Sequence, residues 1–423
     1  MARERRRRGT ALTLRGRVVL ALGLVGLVVA YTSRIDAILF VAVMLVAVVA
    51  AAVLAARHRR PALAVHRSFG SERVMPGHPL SVDLTIANRS LRAVGAATWT
   101  DGWRWVSPAG MLARGATGSS ESSELPPLRG RWGDVQTAVS VSWEFEPPLR
   151  GDIEVGPVRV TVGDPFGLAT ATVQAGDTTR LLVLPEVQAL DDATFGLRRA
   201  DGQAHRADHR ATGGEHELTT RAYRVGDPLR RVHWRASAHH GELMVRQEEQ
   251  RSAAEVSVLL ETRRDRHPDA EPGDPLESDS FEWAVSMAAS LAVHLDAIGY
   301  RVHLIETGAP QLAAHAGADL DGLARVALTS LERTTGVSLV PPGRLGSSRL
   351  GSIFAVLAEL DDATVGDLVA GRAPYDSAVA FVPAWSSDED LARLAAAGWT
   401  CIPVGVVDEP RDAWASSLKR GAA

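Results

Sequence analysis

Ile38-Leu39-Phe40-Val41-Ala42-Val43-Met44-Leu45-Val46-Ala47-Val48-Val49-Ala50-Ala51-Ala52-Val53-Leu54-Ala55-Ala56 runs for nineteen residues without a charge. Wound as a helix rising 1.5 Å per residue, it reaches about 28 Å, close to the hydrocarbon thickness of a bilayer. Upstream, Val18–Tyr31 is a second uncharged run. It gives about 21 Å, and approaches a full span if it extends through Thr32 and Ser33 while arginines snorkel. Between the two lies Thr32-Ser33-Arg34-Ile35-Asp36, which carries no net charge. Arginines crowd both outer flanks: Arg3, Arg5, Arg6, Arg7, Arg8, Arg15 and Arg17 before, Arg57, Arg59 and Arg60 after. Positive flanks around a neutral turn predict a two-pass hairpin in the plasma membrane, over 18–56, with the basic N-terminus (1–17) and everything after the hairpin cytoplasmic. A cleaved leader also begins with basic residues and a short apolar run, but it does not account for a second apolar segment starting at once.

The charge of the chain divides at the same place. Residues 1–60 hold eleven arginines against Glu4 and Asp36, a balance of +9, and the rest holds 35 basic and 48 acidic residues, a balance of −13. An acidic body is poorly suited to displacing counterions from phosphate, so nucleic acid is not an expected partner. One cysteine, Cys401, in 423 residues excludes an internal disulfide framework and suits a reducing compartment.

After the hairpin the hydrophobic period is two. Leu80-Ser81-Val82-Asp83-Leu84-Thr85-Ile86 alternates, as does Val135–Phe145, where Thr137, Val139, Val141 and Trp143 share a face. Turn signals at Pro76-Gly77, Asn88-Arg89-Ser90, Arg150-Gly151-Asp152 and Gly163-Asp164-Pro165 separate these runs. Short half-buried strands with such punctuation predict an antiparallel immunoglobulin-like β-sandwich over 61–188, with Ser107–Pro127, rich in Gly, Ser and Pro, as a mobile loop. From 253 to 410 the pattern changes. Val256–Leu260 is a compact apolar run of the kind buried on both sheet faces, and Phe281, Val285, Ala288, Ala292, Leu295 and Ile298 follow helical spacing up to Gly299. Strands at Arg301–Glu306, Ile353–Leu357, Ala378–Val382 and Cys401–Val404 alternate with helices at Leu320–Leu331, Asp362–Ala370 and after Ser387, which predicts an α/β layer with a mostly parallel sheet. Arg263–Asp279 reads as a solvated insert and 411–423 as a tail.

The linking segment, 189–252, holds the most distinctive stretch: Arg221-Ala222-Tyr223-Arg224-Val225-Gly226-Asp227-Pro228-Leu229-Arg230-Arg231-Val232-His233-Trp234-Arg235-Ala236-Ser237-Ala238. It resembles the signature of the domain of unknown function 58 family: Arg-x-Tyr (Arg221, Tyr223), Gly-Asp (Gly226, Asp227), Arg-x-hydrophobic-x-Trp (Arg230 or Arg231, Trp234) and Ser-Ala from Ser237. A second element, Arg150-Gly151 with Asp164-Pro165-Phe166-Gly167-Leu168, is similar to the family's Arg-Gly and Asp-Pro-Phe-Gly-Leu, and Leu184-Pro185 to its strand-ending pair. The sequence departs from the pattern at His233, where the family is often acidic, and at His239, where it is often basic.

The resemblance implies more than the residues do alone. The family's C-terminal part is similar to von Willebrand factor type A domains, which hold a divalent cation through Asp-x-Ser-x-Ser after the first strand. Here that stretch reads Glu261-Thr262-Arg263-Arg264-Asp265. A guanidinium has no lone pair to give and opposes a cation, so the site around Glu261, Arg263 and Asp265 is degenerate, with Asp361 or Asp362 at another strand end, and neither metal nor cofactor is expected. The resemblance also implies a partner, an AAA+ ATPase of the MoxR group, with transglutaminase-like membrane proteins as further companions. The expected role is an adaptor in assembly or maturation at the envelope, not an enzyme, with no catalytic residue assigned. Arg221, Arg224, Arg230 and Arg231 around Asp227 have two readings, a tight turn neutralised by local acids with Trp234 packed against the sandwich, or a surface that grips an acidic partner or phosphate. The alternative from another class is a metal-dependent hydrolase on the histidines of His205–His240, which lack a metalloprotease helix pair and a neighbouring cysteine.

Overall fold

The computed structural model describes residues 9–58, 60–71, 73–106, 117–131, 137–191, 220–222, 232, 234–246, 255–270, 278–313, 316–329, 337–341, 350–405 and 407–421. It divides into two compact units, Met1–Pro185 and Glu186–Ala423.

The first unit starts with a short strand, β1 (Gly9–Leu12), then helices α1 (Leu14–Ser33) and α2 (Asp36–His58). Both helices are long and apolar enough to cross a membrane. Arg34, in the left-handed region at φ 57°, ends α1 by returning its N–H to the Ala30 carbonyl. The helices pack through small residues. A Cβ on Gly23 would stand 2.9 Å from a Val46 methyl, and one on Gly26 3.0 Å from the Ala42 Cβ, so glycine is what permits the close approach.

Eleven strands follow: β2 (Leu63–Phe69), β3 (Leu80–Asn88), β4 (Ala97–Thr100), β5 (Gly102–Val106), β6 (Thr117–Ser119), β7 (Ser123–Leu125), β8 (Thr137–Phe145), β9 (Gly151–Val155), β10 (Val158–Gly163), β11 (Ala169–Ala175) and β12 (Thr179–Val183). They form three antiparallel sheets, ordered β1-β11-β10-β4-β7, β12-β9-β5-β6 and β2-β3-β8. In β3 the residues Leu80, Val82, Leu84 and Ile86 are buried and the ones between exposed, as the period-two pattern requires. Trp99, Trp105 and Ile153 fill the interior, and the Trp105 indole donates to the Arg150 carbonyl at 2.8 Å. An internal fork from Arg67 to Asp101 (3.0 and 2.8 Å) crosses this core, and burial, opposed by Arg67, lifts the Asp101 carboxyl above its ordinary range. One expectation needs correction here. Part of Ser107–Pro127 is strand, β6 and β7, because Leu125 has a buried slot opposite Ala97. Before α1, β1 pairs with β11 from Gly9↔Thr172 to Leu12↔Ala169.

In the second unit, β13 (Thr220–Ala222) pairs with β14 (Met244–Arg246), flanking α3 (Trp234–His240). The main sheet contains β15 (Glu255–Leu260), β16 (Arg301–Glu306), β17 (Ser352–Val356), β18 (Ser377–Pro383) and β19 (Thr400–Val404), all parallel, in the order β16-β15-β17-β18-β19. Helices α4 (Asp279–Ala297), α5 (Leu320–Arg325), α6 (Asp362–Gly371), α7 (Asp388–Ala396) and α8 (Pro410–Gly421) accompany it. Caps occur where hydroxyl or carboxylate precedes an apolar period: Ser278, Asp319, Asp361 and Ser387 each accept an N–H of the first turn. Residues 411–421 of the expected tail are therefore helical. Ala413, Trp414, Ser417 and Leu418 share one face of α8, and Trp414 is fully buried against Phe354 and His294. Arg263–Asp279 is not simply solvated either, as Arg263 and His267 are buried.

Candidate functional site

In chain order the main sheet runs second, first, third, fourth, fifth strand, so its winding reverses between β15 and β17. Loops leaving those carboxyl ends part toward opposite faces, which makes such a point the usual ligand crevice of an open α/β sheet. The residues delivered there are Glu261-Thr262-Arg263 after β15, Thr307 after β16, and Asp361 with Thr364 at the start of α6.

Glu261 is wholly buried, yet every acceptor it presents is filled. Arg263 donates from Nε to Oε1 at 2.9 Å and from Nη2 to Oε2 at 2.6 Å, its backbone N–H adds a third bond at 3.0 Å, and the Thr307 hydroxyl donates to Oε1. The same Nη2 donates to Thr364 Oγ1 at 3.0 Å, and that hydroxyl passes its proton side to Asp361 Oδ1 at 2.5 Å. Arg266 closes the chain on Asp361 Oδ2 at 2.8 Å. Burial alone would lower the Arg263 pKa, but the bonded Glu261 carboxylate more than reverses this and holds it above its ordinary value. For Asp361, burial pulls upward, while the Thr364 hydroxyl and N–H and the two arginines hold the carboxyl below its usual range. His267 lies behind Glu261, Nδ1 to Ser280 Oγ at 2.8 Å and Nε2 to the Glu261 carbonyl at 3.3 Å, and burial pushes its pKa down.

The crevice thus holds its own cation. A guanidinium stands among a carboxylate and threonine hydroxyls, hard oxygens of the kind that bind a divalent ion. Glu261 and Arg263 come together as the sequence places them. Asp265 does not join them: its side chain is 56% exposed and pairs with Arg266 at 3.0 Å. Asp361 does join, through Thr364 and Arg266, whereas Asp362 is exposed and meets Arg393. Thr307 and Thr364 were absent from the sequence reading, and only the strand-end position of the first and the cap position of the second could have marked them. Among the described residues no group of three or more His, Cys, Asp or Glu is disposed to hold a metal.

The family signature is described only at its two ends. Arg221 lies on β13 opposite Val245 of β14, and Val232 bridges to the same residue. Ser237 closes the C-terminal side, its hydroxyl accepting the Met244 N–H at 2.8 Å and its carbonyl the Gly241 N–H at 2.9 Å, with Gly241 at φ +72°. Trp234, at the first position of α3, is 69% exposed. Tyr223, Arg224, Gly226, Asp227, Arg230 and Arg231 lie outside the described residues, as do His205, His209, His216 and His233 of the histidine-rich stretch. The second motif is complete. Asp164, Pro165, Phe166 and Gly167 form the turn between β10 and β11, where the buried Asp164 carboxylate accepts the Phe166 N–H at 2.9 Å and the Ala169 N–H at 2.6 Å.

Residues 219–316 match the family model described as Protein of unknown function DUF58, the family that the signature resembles. No curated protein matches the chain. Among solved structures, the C-terminal domain of Wzt is similar at 11% identity over 30% of this chain and 72% of its own, with a TM-score of 0.20. A CARDB domain from Pyrococcus furiosus, solved with two metal ions, is similar at 13% identity over 27% of this chain and 94% of its own, with a TM-score of 0.15. A β-glucosidase from Listeria innocua is similar at 16% identity over 29% of this chain, which spans 17% of that enzyme, with a TM-score of 0.18. Likenesses this slight carry no argument about this chain.

Proposed function

We propose that this chain, a DUF58 protein by its residues 219–316, is a two-pass membrane-anchored adaptor whose body faces the cytoplasm and recruits another protein. The anchoring is supported by the two apolar helices, which leave Leu22, Val25, Phe40 and Met44 facing outward with 57–75% of their surface uncovered by protein. The pairing of β1, which precedes α1, with β11, which follows α2, supports a hairpin whose two ends emerge on one side. The arginine flanks favour the cytoplasmic side. We read the first unit's strands as an immunoglobulin-like sandwich serving as spacer, and the second unit, with its all-parallel reversed-order sheet, as von Willebrand factor type A-like.

The observation that carries recruitment is Trp234, an exposed indole fixed at the first turn of a short helix inside the family signature. Tryptophan is a frequent anchor of protein interfaces, and this one lies inside the family signature. By family resemblance the partner is an AAA+ ATPase of the MoxR group, with transglutaminase-like membrane proteins as companions, and the role is ATPase-assisted assembly or maturation of envelope-associated proteins. Full-length protein immobilised from detergent extract, with mass spectrometry of what it retains, tests this reading. The MoxR-type ATPase is recovered with the parent chain and falls by at least roughly thirtyfold with Trp234→Ala, as a hot spot of about 2 kcal/mol implies. Equal recovery by both chains, or none by the parent, removes the proposal.

A further inference from the structure

The turn Asp164–Leu168 inverts the usual placement of residue types. Its charged member, Asp164, is 7% exposed, and its aromatic member, Phe166, is 64% exposed. The inversion is held by rigid geometry. Besides the two bonds to the Asp164 carboxylate, Asp164 N–H donates to the Ala169 carbonyl at 3.0 Å and Gly167 N–H to the Asp164 carbonyl at 3.1 Å, with Gly167 at φ +68°. A turn so fixed presents Phe166 outward as a built feature.

Where the turn points is set by the helix it touches. Thr13, the N-cap of α1, donates its hydroxyl to the Gly167 carbonyl at 2.7 Å and its N–H to the Leu168 carbonyl at 2.9 Å. A Cβ on Gly16 would stand 2.0 Å from the Leu168 oxygen, so this glycine lets the turn lie on the first helical turn. β1 and β11 run from this contact away from α1, Leu12 opposite Ala169 and Gly9 opposite Thr172, so the turn is the end of the β10–β11 hairpin nearest the apolar helices. On the other side Leu168, Ala169 and Ala171 share a cluster with Val49, Ala52 and Ala56 of α2. The helices register Gly23 beside Val46 and Gly26 beside Ala42, which carried back along both places Gly16 level with Ala52. Ala52 is four residues inside Ala56, the end of the uncharged run, or about 6 Å at helical rise. That is the depth at which interfacial aromatic side chains settle, at the headgroup boundary. The surroundings agree: Leu14 and Val18 are exposed at 73% and 51%, and exposed Arg15 and Arg17 lie between them in the chain, suited to lipid phosphates.

We propose that the Asp164–Leu168 turn seats the first unit on the bilayer, with Phe166 inserted where headgroups meet acyl chains. The proposal rests on the reading of α1 and α2 as membrane-spanning, and the occupant it names is lipid. The test uses full-length protein in vesicles of phosphatidylcholine and phosphatidylglycerol, in a Cys401→Ser background, with one cysteine at a time bearing an environment-sensitive nitrobenzoxadiazole probe. The positions are Phe166→Cys, Met44→Cys on the outward face of α2, and Thr178→Cys beyond the far end of β11. Nitroxide lipids carry the quencher either near the headgroup or near the chain terminus. The Phe166 probe is expected to lose emission most to the shallow nitroxide, the Met44 probe to the deep one, and the Thr178 probe to neither. Quenching at Met44 with a Phe166 probe as unaffected as Thr178 overturns the anchor while the hairpin stands. An unquenched Met44 probe instead overturns the membrane-spanning reading. A blue-shifted but unquenched Phe166 probe means that protein, a second copy, covers it, and overturns the lipid assignment.

Discussion

Replacing Arg263 by methionine keeps most of the aliphatic stem but removes the cation that forks onto Glu261. Glu261 then remains wholly buried with the Thr307 hydroxyl and the residue 263 backbone N–H as its donors, having lost the bonds of 2.9 and 2.6 Å. Thr364 loses a donor as well. Breaking a buried pair on one side costs about 3–5 kcal/mol, more than either partner contributes to net stability, because an uncompensated charge stays in a low-dielectric site. For a unit of this size each kcal/mol lowers the midpoint by about 2–4 °C, so Arg263→Met lowers it by roughly 6–20 °C. The double change Glu261→Gln with Arg263→Met removes the stranded charge and recovers a coupling of about 1–3 kcal/mol. Thermal unfolding of the full chain, with hydrogen exchange read on the β15 and β17 peptides, locates the loss in the second unit. A single-variant loss under about 1 kcal/mol, or a double variant equal to the sum of the singles, refutes the view of Arg263 as an internal counterion.

Three further outcomes are expected. Arg263→Ser opens the space between Glu261 and Thr364, so millimolar Mg²⁺ stabilises that variant, by about 2.7 kcal/mol at a hundredfold excess over its dissociation constant, and leaves the parent midpoint unmoved. His267 has a folded-state pKa below its unfolded one because burial disfavours its cation, so its stabilising effect is complete above about pH 6.5 and is lost as pH falls toward the folded value. A plot of unfolding free energy against pH bends downward below about pH 6.5 in the parent and flattens there in His267→Gln. Burial pushes the Cys401 thiol up to about 11, so iodoacetamide at pH 8 alkylates it about a hundredfold more slowly than a free thiol, and denaturant abolishes the difference.

Much of this architecture was legible in the chain because hydrophobic period reports burial directly. Ile38–Ala56 gave α2, the alternation of Leu80–Ile86 gave β3, and the compact run Val256–Leu260 gave β15, an interior strand of the parallel sheet. Gly299, at φ +94°, marked the end of α4 as a helix-stopping glycine should. What escaped was set by long-range pairing. Gly9–Leu12 is too short and polar to announce a strand, and becomes one only because β11 offers an open edge. Residues 410–421 read as polar because α8 buries one narrow face around Trp414. At the crevice, Arg263 was seen as the obstacle to a metal, but its partner Thr364 lies 101 positions away, and Thr307, which bonds Glu261, lies 46 from that residue, so no local spacing joins them.

The pairing of β1 with β11 also orders events during synthesis. Leu12 leaves the ribosome 157 residues before its partner Ala169, a gap of about 8–30 s at ordinary elongation rates. Both apolar helices are complete in that interval, so on the proposed membrane-spanning reading of α1 and α2, insertion precedes closure of the sheet. Until β1 docks, β11 is an unpaired edge of the kind that recruits strands from other chains. On that same reading the N-terminal strand acts as a closing stitch on a nascent protein already held at the bilayer, which confines that edge to two dimensions while it is open.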